Sequence, residues 1–224
     1  MFNSEKELVD EAMFLLRSPS SEKVPLDLKG ENQIVLQEVN LGYGIADIVL
    51  TNCTKSTEKR DRYLNQVQIK LLIIINNNPG IALEEIENRT KLRKKAIIDS
   101  ISFLEELSLV KRTQGNVNPF KSYALYVQNT IAIEAKLKNW KRALKQAYRY
   151  KWFSHKSFVC LPSNKVPLAV KNIKEFKKMG VGLIGFCQEQ GFQIIYNPRV
   201  EDPISDEMTI LLNELVLNSL HASS

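Results

Sequence analysis

Asp47, Glu134 and Lys136 are the residues whose types and surroundings could carry out metal-assisted chemistry. Each lies in a run whose alternation reads as a β-strand: Ile45-Ala46-Asp47-Ile48-Val49-Leu50 and Ile131-Ala132-Ile133-Glu134-Ala135-Lys136-Leu137. Side chains alternate between the faces of a strand, so Ile131, Ile133, Ala135 and Leu137 share one face while Glu134 and Lys136 stand together on the other. A carboxylate and an ammonium displayed side by side could hold a metal and polarise a water, and Asp47 offers the second acid. The chemistry this suggests is metal-dependent cleavage of a phosphodiester. The plain alternative is a Glu134–Lys136 ion pair on an edge strand, worth under ~1 kcal/mol. Asp47 argues for more. Among Ile45, Ala46, Ile48, Val49 and Leu50 an unpaired charge is costly to bury, and a cation or Lys136 would remove that cost.

The elements that must position these residues can be read along the chain. Residues 4–17 have helical spacing, with Leu8, Ala12, Leu15 and Leu16 on one face. Strand-like runs at 34–39 and 45–51 are joined by Leu41-Gly42-Tyr43-Gly44, whose glycines suit a hairpin turn. The polar stretch 52–62 reads as a linker. Leu64, Val67, Leu71, Ile74 and Ile75 predict a helix ended by Asn76-Asn77-Asn78-Pro79-Gly80. A short helix at 84–90 and a longer one at 93–107 follow. A two-stranded ribbon is expected from Val110-Lys111-Arg112, a turn at Gly115-Asn116, and Tyr123-Ala124-Leu125-Tyr126. After the strand holding Glu134 come a basic helix at 139–152, a strand at 157–161, a helix at 171–179, a hairpin of 181–187 with 191–196, and a terminal helix at 205–220.

Composition sets limits on the class. With 224 residues, 44% of them apolar and 25% charged, the chain has ample material for a core and the balance of an ordinary globular protein. No apolar run approaches the ~20 residues that cross a bilayer, and the first residues have no basic-then-apolar signal pattern, so a cytoplasmic protein without a membrane partner is expected. Cys53, Cys160 and Cys187 are far apart and lie in or beside apolar runs, as buried free thiols would. The charge is uneven. Residues 1–50 carry nine acids against four bases, whereas residues 121–156 hold nine Lys or Arg and one acid, Glu134. A lone carboxylate in so basic a neighbourhood suits a place where a cation and a polyanion are both accommodated.

The order helix, Gly-rich hairpin, strand with Asp47, strand with Glu134-Ala135-Lys136, then a helix with Gln146 and Tyr150 resembles the PD-(D/E)XK nuclease superfamily. Gln146-Ala147-Tyr148-Arg149-Tyr150 is similar to the Gln-x-x-x-Tyr motif of its RecB-like members. The resemblance covers about residues 4–55 and 128–197. Ala46 stands where the family name has proline, and a long insertion separates the two acids. The resemblance implies Asp47, Glu134 and Lys136 as catalytic residues. It implies Mg²⁺ or Mn²⁺ held by Asp47, Glu134 and the Ala135 carbonyl, with Glu38 a further acid from the preceding strand. Lys136 would position or help deprotonate the attacking water, and the products would carry a 5′-phosphate and a 3′-hydroxyl. Gln146 and Tyr150, four apart on one helical face, would lie near the site and the nucleic-acid backbone. Lys138, Lys141, Arg142, Lys145 and Arg149 would contact phosphates, with Trp140 or Tyr148 available to pack or stack.

Three helices followed by a ribbon over about 61–127 resemble a winged helix-turn-helix domain. That likeness implies Arg93, Lys94 and Lys95 at the start of a helix entering a major groove, and Lys111 and Arg112 beside the wing. Glu84, Glu85, Glu87, Glu105 and Glu106 favour protein contacts instead. The expectation is thus an α/β fold: a restriction-endonuclease-like mixed sheet flanked by helices, built from residues 1–58 and 128–224, with a winged-helix domain inserted at 59–127. Its expected activity is that of a metal-dependent DNA endonuclease, and DNA is the expected partner. Two cuts on a duplex would suit a homodimer. The rival readings are a non-catalytic DNA-binding regulator and an interaction subunit of a larger defence or repair assembly.

Overall fold

Alternating apolar runs become strands and 3.6-periodic ones helices along most of the chain, and the computed structural model describes residues 2–18, 22–42, 44–54 and 62–222. In order these are α1 (Glu5–Leu16), β1 (Gln33–Asn40), β2 (Ile45–Cys53), α2 (Gln66–Asn77), β3 (Ile81–Ala82), α3 (Leu83–Thr90) and α4 (Lys94–Glu106). There follow β4 (Val110–Thr113), β5 (Asn116–Pro119), β6 (Val127–Ala135), α5 (Trp140–Arg149), β7 (Lys156–Pro162) and α6 (Val166–Val170). The last are α7 (Ile173–Met179), β8 (Gly182–Cys187), β9 (Gly191–Tyr196) and α8 (Asp206–Ala222). The elements fall into two units: residues 1–57 with 126–205, and residues 58–125 with 206–224. Most of the 52–62 linker expected from sequence, residues 55–61, lies outside the described residues. The strand before it runs on to Cys53.

The first unit is α/β. Its six-stranded sheet has the order β1-β2-β6-β7-β8-β9. Strands β6, β7 and β8 run parallel to one another, and the remaining pairings are antiparallel. The β1–β2 turn uses Gly42 and Gly44 at φ +99° and +128°, where an L side chain would be strained. Helix α1 opens on Ser4, whose hydroxyl accepts the Glu7 N–H at 3.0 Å. Its Leu8, Ala12, Met13 and Leu16 join Ile48, Leu50, Ile131, Ile133, Ala135 and Phe158 in one core, with Leu137 packed against it. The apolar face expected of the Glu134 strand therefore packs in this core, and the opposite face, with Ala132 and Glu134, is buried as well. Helix α5 packs on β6 and β7 through Trp140, Ala143, Leu144 and Ala147, spaced one helical turn apart; none of these belongs to the α1 core. The helix expected at 171–179 is α7, which starts at Ile173; a short helix not expected from sequence, α6, precedes it across the turn at Lys171–Asn172. All three cysteines are free, Cys53 and Cys160 buried and Cys187 half-buried. Burial, with the Asp47 charge added, pushes the Cys160 thiol up to about 12.

The second unit packs α2, α3 and α4 beside a three-stranded sheet of order β3-β5-β4. Two expectations are corrected here. The partner of Val110–Thr113 is Asn116–Pro119, not Tyr123–Tyr126. The pair closes over Gln114–Gly115, both at positive φ (52° and 85°), which is the two-residue hairpin turn that matches strand twist. With Val117 its one buried residue, this strand carries little alternation to read. The second correction concerns the terminal helix. Residues 206–224 belong with 58–125 rather than with the sheet of Glu134. Ile210 of α8 enters the α2–α4 core, and Leu211 packs against it.

A buried polar clamp holds α8 there. Glu214, 3% exposed, accepts the Leu64 N–H at 2.7 Å and the Tyr123 hydroxyl. Asn213 Nδ2 donates to that hydroxyl at 2.6 Å. Glu214→Ala takes the acceptor away from two donors at once and is expected to lower stability by roughly 2–4 kcal/mol in denaturant unfolding. A loss below about 0.5 kcal/mol would mean that the clamp does not hold the helix. Among the described residues no helix is long and apolar enough to cross a membrane.

Candidate active site

Antiparallel β2 and β6 bring the two acids together. Ile48 pairs with Ile133, so the next step along the register sets Asp47 opposite Glu134. Asp47 Oδ2 accepts the Ala135 N–H at 2.7 Å. Glu134 is not a surface acid: it is 1% exposed. Its Oε1 lies 2.9 Å from the Lys136 ammonium, and its Oε2 meets the Tyr150 hydroxyl. Lys136 also reaches Glu5 Oε2 at 3.0 Å. The Tyr150 hydroxyl lies 2.6 Å from the Ile45 carbonyl. Asp47, Glu134, Lys136 and Tyr150, expected from sequence to act together, thus form one cluster where β2 begins and β6 ends. Glu5 was not expected in it. The first turn of α1 carries no local signal that it will meet a lysine 131 positions away.

The electrostatics of the cluster are those of acids kept from water beside each other. Burial raises the Asp47 carboxyl above its ordinary value, against the opposing pull of the Ala135 N–H and Lys136. Burial also raises Glu134, and the Asp47 charge adds to it. Burial alone would lower Lys136, but hydrogen bonds and charge from Glu134, Glu5 and Asp47 outweigh it, so the ammonium is held above its ordinary value. Lys136 is therefore a donor here and not a base, which narrows its expected role to positioning. Tyr150 has one proton and two acceptors. The Ile45 carbonyl and the Glu134 carboxylate share that donor. Burial and then the Glu134 charge push the Tyr150 phenol up, so it stays neutral.

The other expected residues divide. Gln146 is half-buried, one turn before Tyr150 on α5, and its Oε1 is buried with no hydrogen-bond partner. Lys138, Lys141, Arg142, Lys145 and Arg149 are exposed, since the opposite face of α5 is the one that packs. Trp140 is not available to stack on a base: it is 7% exposed and stacks on Phe176 at 5.6 Å. Tyr148 stays 44% exposed, as stacking would need. Glu38 lies across β1 from Asp47, between the pairs Gln37–Ile48 and Val39–Ala46, with φ at +53°. It is exposed, and its charge adds to the raising of Asp47. It does not close a ligand set, because among the described residues no three His, Cys, Asp or Glu side chains are grouped to hold a metal ion.

In the second unit Arg93, Lys94, Lys95 and Lys111 are exposed, Arg93 capping α4 rather than lying within it. Arg112 is already committed. Its Nε donates to Glu105 Oε2 at 2.8 Å and its backbone N–H to Glu105 Oε1 at 2.8 Å, and Arg112 in turn lowers the Glu105 carboxyl. A guanidinium so engaged has less to offer a phosphate. His155, given no role from sequence, accepts the Thr130 N–H on Nδ1 at 3.0 Å, and burial lowers its pKa.

Comparison of the chain with protein-family models, with curated proteins and with solved structures finds no match.

Proposed function

We propose that this protein is a metal-dependent deoxyribonuclease of the PD-(D/E)XK kind, with a second, winged-helix-like unit that assists DNA binding. One observation supports the reading above the others: two neighbouring carboxylates, the half-buried Asp47 and the buried Glu134, stand beside an ammonium held on Glu134. A structural ion pair would need only one acid. The donor set fits Mg²⁺ or Mn²⁺, because it is all oxygen and two carboxylates leave several positions for water. Both acids have raised pKa values that a cation would offset. The unpartnered Gln146 Oε1, one turn from Tyr150, is an acceptor that a bound water would satisfy. Asp47, Glu134 and the Ala135 carbonyl would hold the ion, which when bound supplies Lewis acidity and lowers the pKa of its water.

The chain's own groups do the rest. Lys136, kept cationic by Glu134 and Glu5, donates to the attacking water or to a phosphoryl oxygen and offsets the negative charge that builds on phosphorus. Tyr150 fixes the Glu134 carboxyl from the helix side, and the Ala135 N–H fixes Asp47 from the strand side. The exposed bases of α5 give phosphates a landing surface. Arg93, Lys94, Lys95 and Lys111 would do the same in the second unit.

Purified protein incubated with linear duplex, nicked and single-stranded DNA in Mg²⁺ or Mn²⁺ is expected to yield products that disappear in excess EDTA. A gel shift with no products under any of these conditions would instead favour the non-catalytic regulator.

A further inference from the structure

At the carboxyl ends of β6 and β7, where the chain leaves the strand of Glu134, a groove of about 540 Å³ opens between the turn into α5 and the segment that carries α6. Ligands of α/β sheets gather at such strand ends. Lys138, two residues beyond Lys136, lies on one side, and Lys165 and Lys171 on the other. All three are exposed. No carboxylate lines the groove. Its floor is the buried Leu161 and Trp140, 1% and 7% exposed, and the apolar surface it presents is that of Pro167 and Leu168 of α6, Leu168 61% exposed.

Cationic rims over apolar walls are the chemistry of a phosphate joined to a flat heterocycle. The volume falls within the range of about 300–1,000 Å³ seen for small-ligand sites, enough for a nucleotide. A paired base in a duplex keeps its faces stacked and could not enter. We propose that this groove receives one unpaired nucleotide of a DNA strand next to the scissile phosphate, its base against the exposed Pro167 and Leu168 and its phosphate among the three lysines. The protein would then act on single-stranded ends, flaps or unstacked junctions in preference to continuous duplex. This rests on the nuclease reading for the position of the scissile phosphate, but not for the binding itself.

The test compares wild-type protein with Leu168→Glu and with the double variant Lys165→Ala/Lys171→Ala. Fluorescence polarisation follows a labelled dT12 oligonucleotide and a 12-base-pair blunt duplex, without divalent metal. Both variants are expected to bind dT12 roughly tenfold more weakly, with duplex binding changed less than about twofold. Far-UV circular dichroism and the unfolding temperature check that the fold is kept. Equal losses on both probes, no loss on dT12, or wild-type protein that does not bind dT12 would overturn the groove. Its fate can be separated from that of the nuclease reading. Groove-dependent dT12 binding without Mg²⁺-dependent products leaves the groove and removes the enzyme, whereas cleavage of single strands undiminished in both variants leaves the enzyme and removes the groove.

Discussion

Glu134→Gln and Lys136→Met are each expected to lower DNA cleavage by at least about 10²–10³-fold, with DNA binding within about threefold of wild type. The substitutions suit the packing around them. Glu134 is buried and accepts from Lys136 and Tyr150, so truncation to Ala would leave a hole and two stranded donors. Gln keeps the volume and one acceptor oxygen, and replaces the charge and the second acceptor with an NH2 donor. Lys136→Met keeps the length of the stem and removes the ammonium; Glu5, whose side chain is 49% exposed, is then simply solvated. A large fall in rate with intact binding would place both residues in the chemical step, not in the grip on DNA. Cleavage at the wild-type rate by either variant would remove the site from the chemistry altogether. Binding is read by polarisation and cleavage by product formation on the same labelled DNA.

Asp47→Asn is expected to make the protein more stable at neutral pH when no divalent metal is present. The sign follows from linkage. Burial raises the folded-state carboxyl pKa of Asp47 and Glu134 above their ordinary values of 3.8 and 4.5, so the folded state binds more protons than the unfolded one as these groups titrate. Their protonated forms therefore favour folding below the ordinary values, and that contribution is lost as pH rises through the raised ones. As pH rises through those raised values the wild-type protein comes to hold charge on two neighbouring acids. Asn at position 47 relieves one charge while its carbonyl oxygen can still accept the Ala135 N–H. Each kcal/mol gained should raise Tm by roughly 2–4 °C in a chain of this length.

The difference from wild type should shrink as pH falls and the wild-type acids take up protons. Millimolar Mg²⁺ or Mn²⁺ should raise the Tm of the wild type and leave that of Asp47→Asn almost unchanged, because a ligand that binds only the folded state stabilises it by mass action. Thermal unfolding in EDTA and in metal, at pH 4.5 and pH 7.5, reads all of these. An Asp47→Asn protein less stable than wild type at pH 7.5 in EDTA would show that Lys136 already compensates the acids. It would leave the site no electrostatic reason to take up a cation. Such a cost to stability, accepted where chemistry is done, is a common feature of active sites.

The local elements were largely legible in the sequence, because periodicity acts over a few residues. Strands β1, β2, β6, β7, β8 and β9 and helices α1, α2, α4, α5 and α8 lie where alternation and helical spacing put them. So does the division of the Glu134 strand into a core face and a charged face. Elements with little apolar content were not legible. β5 has only Val117 buried, and β3 is two residues long. Helix α6 was missed as well, its five residues too few to show a period.

What the sequence determined by itself was which residues carry charge amid apolar strands: Asp47, Glu134 and Lys136, with Gln146 and Tyr150 on one helical face. Tertiary structure alone decided that Asp47 and Glu134 lie opposite one another across β2 and β6, that Tyr150 closes over Glu134, and that Glu5 from α1 pins Lys136. It also decided that α8 joins the second unit and that Trp140 is core. The reason is the same in each case. A hydrophobic stripe or a charge records that an element needs a partner, but which partner it finds depends on strand order and loop closure across the whole chain.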